Sequence, residues 1–113
     1  MSQASVSILL TQTSYSGIST ITGQAVPAAS YYITSQNLQT LSWSVTNLIG
    51  TLTVQASLAD TPTDNDWFDV YVLPNFNNIS EINYYNLHGN FVWLRVNVSN
   101  LLQGVIQNFK VSY

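Results

Sequence analysis

The alternation that decides the fold is clearest in Phe91-Val92-Trp93-Leu94-Arg95-Val96-Asn97-Val98. Every even position of this stretch is aliphatic, whereas the odd positions carry aromatic, basic or amide side chains. Successive side chains of a β-strand point to opposite faces of a sheet, so this period of two predicts a strand with a buried aliphatic face. Phe91, Trp93 and Arg95 are then expected on the opposite face.

The same period of two recurs along the chain, for example in residues 40–45 and 51–57 and in the C-terminal run from Val105 to Tyr113. Further strands are predicted where β-branched and aromatic residues concentrate, at Val6–Leu10, Gly17–Thr22, Tyr31–Thr34 and Trp67–Leu73. The best helical turn, Asn78–Tyr85, is short. Turn-forming residues such as Gly23, Asn47 and Gly104 separate these segments. The chain is therefore predicted to be all-β, an antiparallel β-sandwich or jelly roll of about seven to nine short strands.

The length of 113 residues is that of one domain, so residues 1–113 are expected to share a single core. Residues 1–30 are richer in Ser, Thr and Gln than the remainder. They are interpreted as an ordinary outer strand, with an edge hairpin or an arm laid on a neighbouring molecule as alternatives.

Charge and cysteine content exclude several function classes. Charged residues make up 6% of the chain, and Arg95 and Lys110 are its two basic residues. Binding to nucleic acid or to an anionic membrane needs several cations, so neither is expected as a partner. Without cysteine there is no disulfide, thiolate nucleophile or zinc–thiolate site. The N-terminus lacks the pattern of a signal peptide, which indicates synthesis in a cytoplasm without a secretion signal.

Candidate chemistry is confined to two features. His88 stands alone before Gly89 and Asn90, and is interpreted as a turn residue. Four carboxylates, Asp60, Asp64, Asp66 and Asp69, fall within ten residues and form a weak candidate calcium site. The pattern departs from that of an EF-hand, and the favoured interpretation is a loop whose Asp and Asn side chains bond to their own backbone. No enzyme activity and no cofactor are expected.

Aromatic side chains are the remaining candidates for contact with a partner. Phe91 and Trp93 share a face opposite the aliphatic one, and Tyr84 and Tyr85 lie close to a predicted loop. Burial beneath a second sheet is the favoured interpretation for these residues. An exposed patch that binds a sugar or a protein is the alternative.

Two stretches resemble a pattern in small structural proteins of tailed bacteriophage virions. The first is residues 50–60 followed by Trp67-Phe68-Asp69-Val70, in which a strand leads through an acidic loop to a Trp-initiated strand. The second comprises residues 89–96, Gly104-Val105-Ile106 and Lys110-Val111-Ser112-Tyr113, which resemble the closing hairpin of the same proteins. A weaker similarity links this hairpin to galactose-binding-like jelly rolls, although no ligand residues carry over.

The resemblance implies a virion subunit that is made in a host cytoplasm and assembles with other virion proteins and with itself. Neutral polar side chains suit interfaces built from many uncharged hydrogen bonds. The leading hypothesis is therefore a capsid decoration, neck or tail-associated protein without enzyme activity. The alternative is a carbohydrate-binding module that uses surface aromatics, and a host surface glycan is its expected ligand.

Overall fold

The computed structural model describes residues 6–14, 17, 20–32, 37–73 and 76–113. The predicted all-β class is confirmed, and its eight strands form one antiparallel sheet. The strands are β1 (Val6–Leu10), β2 (Thr13–Ser14), β3 (Ile21–Thr22), β4 (Val26–Pro27), β5 (Leu38–Ser57), β6 (Phe68–Val72), β7 (Phe76–His88) and β8 (Trp93–Ser112). A four-residue helix, α1 (Ala29–Tyr32), precedes β5, and a 3-10 turn (Asp64–Asp66) precedes β6.

The sheet has four antiparallel rows, which we call tracks; a track is either one long strand or several shorter strands that follow one another along the same neighbour. β8 and β5 lie in the centre and pair along almost their whole length, from Thr40 opposite Ser112 to Ser57 opposite Trp93. β1, β2, β3 and β4 pair in turn with β8, so they form one interrupted outer track. β6 and β7 pair in turn with β5 and form the other outer track. β1, β2, β3 and β4 thus lie along one outer edge of the sheet, and these described segments form no hairpin with one another.

The central strands are longer than the pattern of short strands indicated, and they bend. A straight strand of 20 residues such as β5 would span roughly 66 Å. The largest extent of the molecule is 39 Å and the smallest is 20 Å, a thickness that fits two sheets packed about 10 Å apart. The single sheet therefore folds over on itself into a sandwich-like, two-layered structure.

Contacts between distant parts of the sheet confirm that it folds over. Tyr71 of β6 stacks on Tyr85 of β7, with ring centroids 3.9 Å apart and planes 7° apart, although 14 residues of the same outer track separate them. On the opposite side of the sandwich, Gln24 donates hydrogen bonds from its main-chain N to Leu9 O (3.1 Å) and from Nε2 to Ile8 O (2.6 Å). The first layer thus contains β1, β2, β7, the first half of β5 and the second half of β8. The second layer contains β3, β4, β6 and the other halves.

The line along which the sheet bends from one layer into the other, which we call the crease, contains residues with positive φ. Asn47 of β5, Asn78 of β7 and Asn100 of β8 have φ between 49° and 57°, and Gly104 of β8 has φ 96°. Asparagine is among the few residues that adopt this left-handed conformation readily. Gln103 ties the crease together, because its Nε2 donates to Asn47 O (3.1 Å) and to Asn78 Oδ1 (3.0 Å).

The crease also explains why the buried positions change parity along each central strand. In β5 the buried large apolar residues Leu41, Trp43 and Val45 occupy odd positions before the crease, and Leu52 and Val54 occupy even positions after it. The pairing with β8 is irregular at three places between Ser44 and Thr51, and one extra residue at such a bulge exchanges the faces of the strand that contains it. Both halves consequently turn their apolar faces to one core, in which Trp43 stacks on Phe109 with ring centroids 5.7 Å apart. The buried face predicted for β8 is confirmed at Leu94, Val96 and Val98.

Three predictions of local structure are wrong. Tyr31 belongs to the helix α1 and not to a strand, and its N–H donates to Ala28 O over 3.0 Å; residues 33 and 34 of this predicted strand lie outside the described residues. The helical turn predicted at Asn78–Tyr85 is part of the strand β7. The closing hairpin is one continuous strand, β8, which bends between Asn100 and Gly104 without reversing.

Candidate interaction surface

Phe91 and Trp93 do not form an exposed patch. Both side chains are half-buried. The Trp93 ring meets Tyr31 edge-on at a centroid distance of 5.1 Å, and its Nε1 donates to Asp60 O over 3.3 Å. Phe91 packs against the core and contacts Phe68, with centroids 6.2 Å apart. Helix α1 and the loop before β6 therefore cover much of these two residues.

Tyr84 and Tyr85 lie on β7 and point in opposite directions. Tyr85 is opposite Leu41, on the core side of the sheet, and its ring is held against Tyr71. Tyr84 is opposite Ser42, on the outer side, and remains 64% exposed. Of the four contact candidates, Tyr84 is the one that presents most of its ring to solvent.

A group of exposed apolar side chains surrounds Tyr84. Ile82 on the same outer face is 83% exposed, and Ile79 is also exposed. Of the thirteen residues of β7, Phe76 and Leu87 are buried and Glu81 is half-buried, and the other ten are exposed. We call residues 79–88 the β7 edge. It combines exposed apolar side chains with an outer row of main-chain groups, since β7 pairs with β5 alone among the described strands.

The two outer tracks of the sheet differ in a way that bears on association. The track along β8 is divided into strands of five, two, two and two residues. The β7 edge is continuous, contains no proline or lysine, and carries Glu81 as its single acidic residue. Proteins blunt sheet edges with short strands, lysine, proline or inward-pointing charge. The β1–β4 track is blunted by its interruptions, whereas β7 carries one inward carboxylate.

The two basic residues lie in different layers. Arg95 belongs to the second layer, where its Nε donates to Gln55 Oε1 (2.8 Å) and its guanidinium lies 4.3 Å from the centroid of the Trp67 ring. Gln55 in turn donates to Asp69 Oδ1 (3.0 Å). Lys110 lies opposite Ser42 in the first layer. Arg95 is thus bound in a side-chain network, and the two cations do not form a common surface.

The acidic loop is organised by its own hydrogen bonds. Asp66 Oδ2 accepts hydrogen bonds from Thr63 N (2.7 Å) and Thr63 Oγ1 (3.0 Å), which caps the 3-10 turn. Asp69 lies on β6 and bonds to Gln55. No three His, Cys, Asp or Glu side chains are grouped as ligands for one metal ion in the part of the chain that the structure describes. This arrangement matches the backbone-bonded loop and does not assemble the candidate calcium site.

We expect the melting temperature of the chain to be the same in calcium and in the chelator EGTA, because a ligand stabilises only a state that binds it. Thermal unfolding followed by tryptophan fluorescence measures this. A rise of several degrees in calcium that Asp64→Asn removes would restore the acidic loop as a metal site.

No catalytic constellation is apparent among the residues described. His88 is exposed at the end of β7. A cavity of about 370 Å³ opens beside the crease. Its lining contains no ionisable side chain and consists of Ile49, Gly50, Thr51, Phe76, Asn77, Asn100 and Leu102. In the described part of the chain, no helix has the length and apolar character needed to span a bilayer.

Comparison with known proteins gives no family for this chain. No family model, no curated protein and no solved structure matches it. Its function is therefore inferred from its own residues and geometry.

Proposed function

We propose that this chain is a non-enzymatic structural or accessory subunit of a tailed-bacteriophage virion, which acts through protein–protein contacts made by the β7 edge. The observation that carries the assembly role is the continuous, exposed β7 edge with Ile82 and Tyr84 on its outer face. Strand addition at such an edge supplies main-chain hydrogen bonds, and alternate side chains supply specificity. The virion assignment rests on the sequence resemblance of residues 50–60 and 67–70, and of residues 89–96, 104–106 and 110–113.

The low charge of the molecule supports the same role. With 6% charged residues, contacts between subunits depend on neutral hydrogen bonds and apolar area, which salt screens little. A particle built from repeated copies also gains avidity, so one modest contact per subunit suffices.

Fractionation of a lysed culture that expresses the chain from its own genome tests the virion assignment. We expect an antibody against the chain to detect it in the particle band of a density gradient, at a constant ratio to the major capsid protein. A host cytosolic enzyme serves as the control for entrapment. Detection of the chain at the top of the gradient alone, beside that enzyme, would contradict the assignment.

Binding of a host surface glycan is a second candidate function, favoured by the exposure of Tyr84 on a face that also carries Ser42 and Asn86. Aromatic rings beside small polar groups are suited to sugars, which present apolar faces and hydroxyls. A glycan array distinguishes the candidates. The glycan role would be favoured over assembly if the chain stays monomeric, binds a glycan, and loses this binding in the Tyr84→Ala variant.

A further inference from the structure

We propose that two copies of this chain pair through their β7 edges, antiparallel and with the two-fold axis at Asn83, so that their sheets become continuous. The inference deepens the proposed function and rests on its assembly role, since it names a second copy of the chain as the partner of the β7 edge. Three properties of β7 carry it: its length, its hydrogen bonding and its self-complementary sequence.

The length of the β7 edge allows extended pairing. Residues 79–88 lie beyond the left-handed Asn78 and span about 33 Å at the usual rise of a strand, and their pairing with β5 is regular from Glu81 to His88. This is close to the 39 Å maximum extent of the molecule. The interrupted β1–β4 track offers no comparable stretch among the described residues.

A local hydrogen bond identifies main-chain groups that are available for pairing. The Tyr84 N–H donates to the side-chain Oδ1 of the preceding Asn83 over 2.9 Å. Such short-range side-chain acceptors satisfy a backbone donor that would otherwise pair with a strand. In the paired dimer, the carbonyl of Ile82 in the second copy would take the place of this acceptor.

The sequence of β7 selects the register. A two-fold axis perpendicular to the sheet leaves each side chain on its own face, and residues opposite each other in an antiparallel pair share a face. Because successive residues alternate faces, the axis must pass beside a residue and not between two residues. An axis at Glu81 would place two carboxylates directly opposite each other, which is destabilising. An axis at Tyr84 would place Glu81 opposite the apolar Leu87.

An axis at Asn83 matches every pair by character. Apolar residues meet apolar residues, polar residues meet polar residues, and each carboxylate meets a phenol: Ile79 with Leu87, Ser80 with Asn86, Glu81 with Tyr85, Ile82 with Tyr84, and Asn83 with itself. The pair of Ile82 and Tyr84 is of the β-branched and aromatic kind that stabilises antiparallel sheets. It would cover on each copy the two most exposed large apolar side chains of the β7 edge. A strand that complements itself in this way favours a second copy over an unrelated partner.

The absence of cysteine from the sequence makes the register directly testable. In the proposed dimer the two Asn83 Cα atoms lie about 4.5–5.5 Å apart, within the range that a disulfide spans. The two Ser80 Cα atoms, and likewise the two Asn86 Cα atoms, lie roughly 20 Å apart along the strands. We expect Asn83→Cys to form a disulfide-linked dimer under mild oxidation, and Ser80→Cys and Asn86→Cys to remain monomeric when oxidised separately. A mixture of Ser80→Cys and Asn86→Cys should yield the mixed dimer.

Each outcome decides the proposal. All three positions are exposed, and circular dichroism of each variant verifies that it is folded. Sedimentation velocity of the unmodified chain should show a dimer. The Ile82→Lys substitution should raise the dissociation constant of this dimer at least tenfold. A monomer at all concentrations, or equal crosslinking of the three single variants, would overturn the proposed pairing.

The two proposals fail in different ways. A chain that bands with particles but is monomeric and does not crosslink through Asn83→Cys retains its virion role and loses the β7 dimer. A chain that crosslinks as expected but never bands with particles retains the dimer and loses the virion role.

Discussion

Replacement of Gly104 by alanine is expected to lower the free energy of unfolding by at least about 3 kcal/mol. Gly104 lies in the crease of β8 with φ 96°, a conformation that L-residues rarely adopt. A Cβ at this position would overlap the Asn47 carbonyl oxygen and lie 2.7 Å from Leu48 Cα. Both neighbours belong to the main chain of β5, so neither can move without opening the crease.

Gly17→Ala is the matched control for this prediction. Gly17 has nearly the same φ, 92°, but a Cβ built on it meets no described atom within 4 Å. Its replacement should cost only the backbone strain, about 1–2 kcal/mol. Urea unfolding followed by tryptophan fluorescence measures both variants. Equal losses would show that the close approach of β8 to β5 at the crease is not a determinant of stability.

The Gln39→Leu variant is expected to lose about 2–4 kcal/mol of stability, because it leaves buried main-chain groups without partners. Gln39 is fully buried. Its Oε1 accepts from Ala29 N (3.2 Å), and its Nε2 donates to Leu87 O (2.9 Å) and Gly89 O (3.2 Å). One amide thus joins the start of α1, the first residues of β5 and the end of β7.

The exposed Gln12 supplies the control for the amide-to-aliphatic change. Gln12→Leu should alter the free energy of unfolding by no more than about 0.5 kcal/mol, as surface substitutions usually do. Chemical denaturation of the two variants in parallel gives the comparison. If Gln39→Leu were as stable as Gln12→Leu, the hydrogen bonds of the buried amide would contribute nothing.

The strands that pack one face on the core could be predicted from the sequence. Leu94, Val96 and Val98 alternate with polar or amphipathic residues, and all three are fully buried. The strand Phe68–Val72 falls within the predicted segment Trp67–Leu73. In β8 the hydrophobic period records burial directly, whereas β6 has no fully buried residue and was predicted from its β-branched and aromatic content.

The β7 edge could not be found in this way. Ten of the thirteen residues of the strand β7 are exposed, so the strand has no apolar period, and Ile79, Ile82 and Tyr84 read as scattered hydrophobic residues. Its strand conformation is imposed by pairing with β5, from Leu38 opposite His88 to Gly50 opposite Phe76. Tertiary context overrides local pattern at such edges.

The bending of the sheet into two layers could not be predicted from the sequence either. The sequence predicts strand ends at Asn47 and Gly104, whereas both residues bend continuous strands. A turn signal and a bulge signal use the same residues, because both need positive φ. The apolar positions change parity between Val45 and Leu52 in β5 and between Val98 and Phe109 in β8, and these changes are signs of a bulge that the sequence itself contains.

Hydrogen exchange of the β7 amides at low and high protein concentration tests most directly whether this chain works by pairing at that edge. Pairing through β7 should slow exchange in residues 79–88 as concentration rises, and leave the β1–β4 track unchanged. The Ile82→Lys variant should show fast exchange in residues 79–88 at both concentrations. Exchange in β7 that does not depend on concentration, or protection that appears along β1–β4 instead, would contradict the assignment of the β7 edge as the assembly surface.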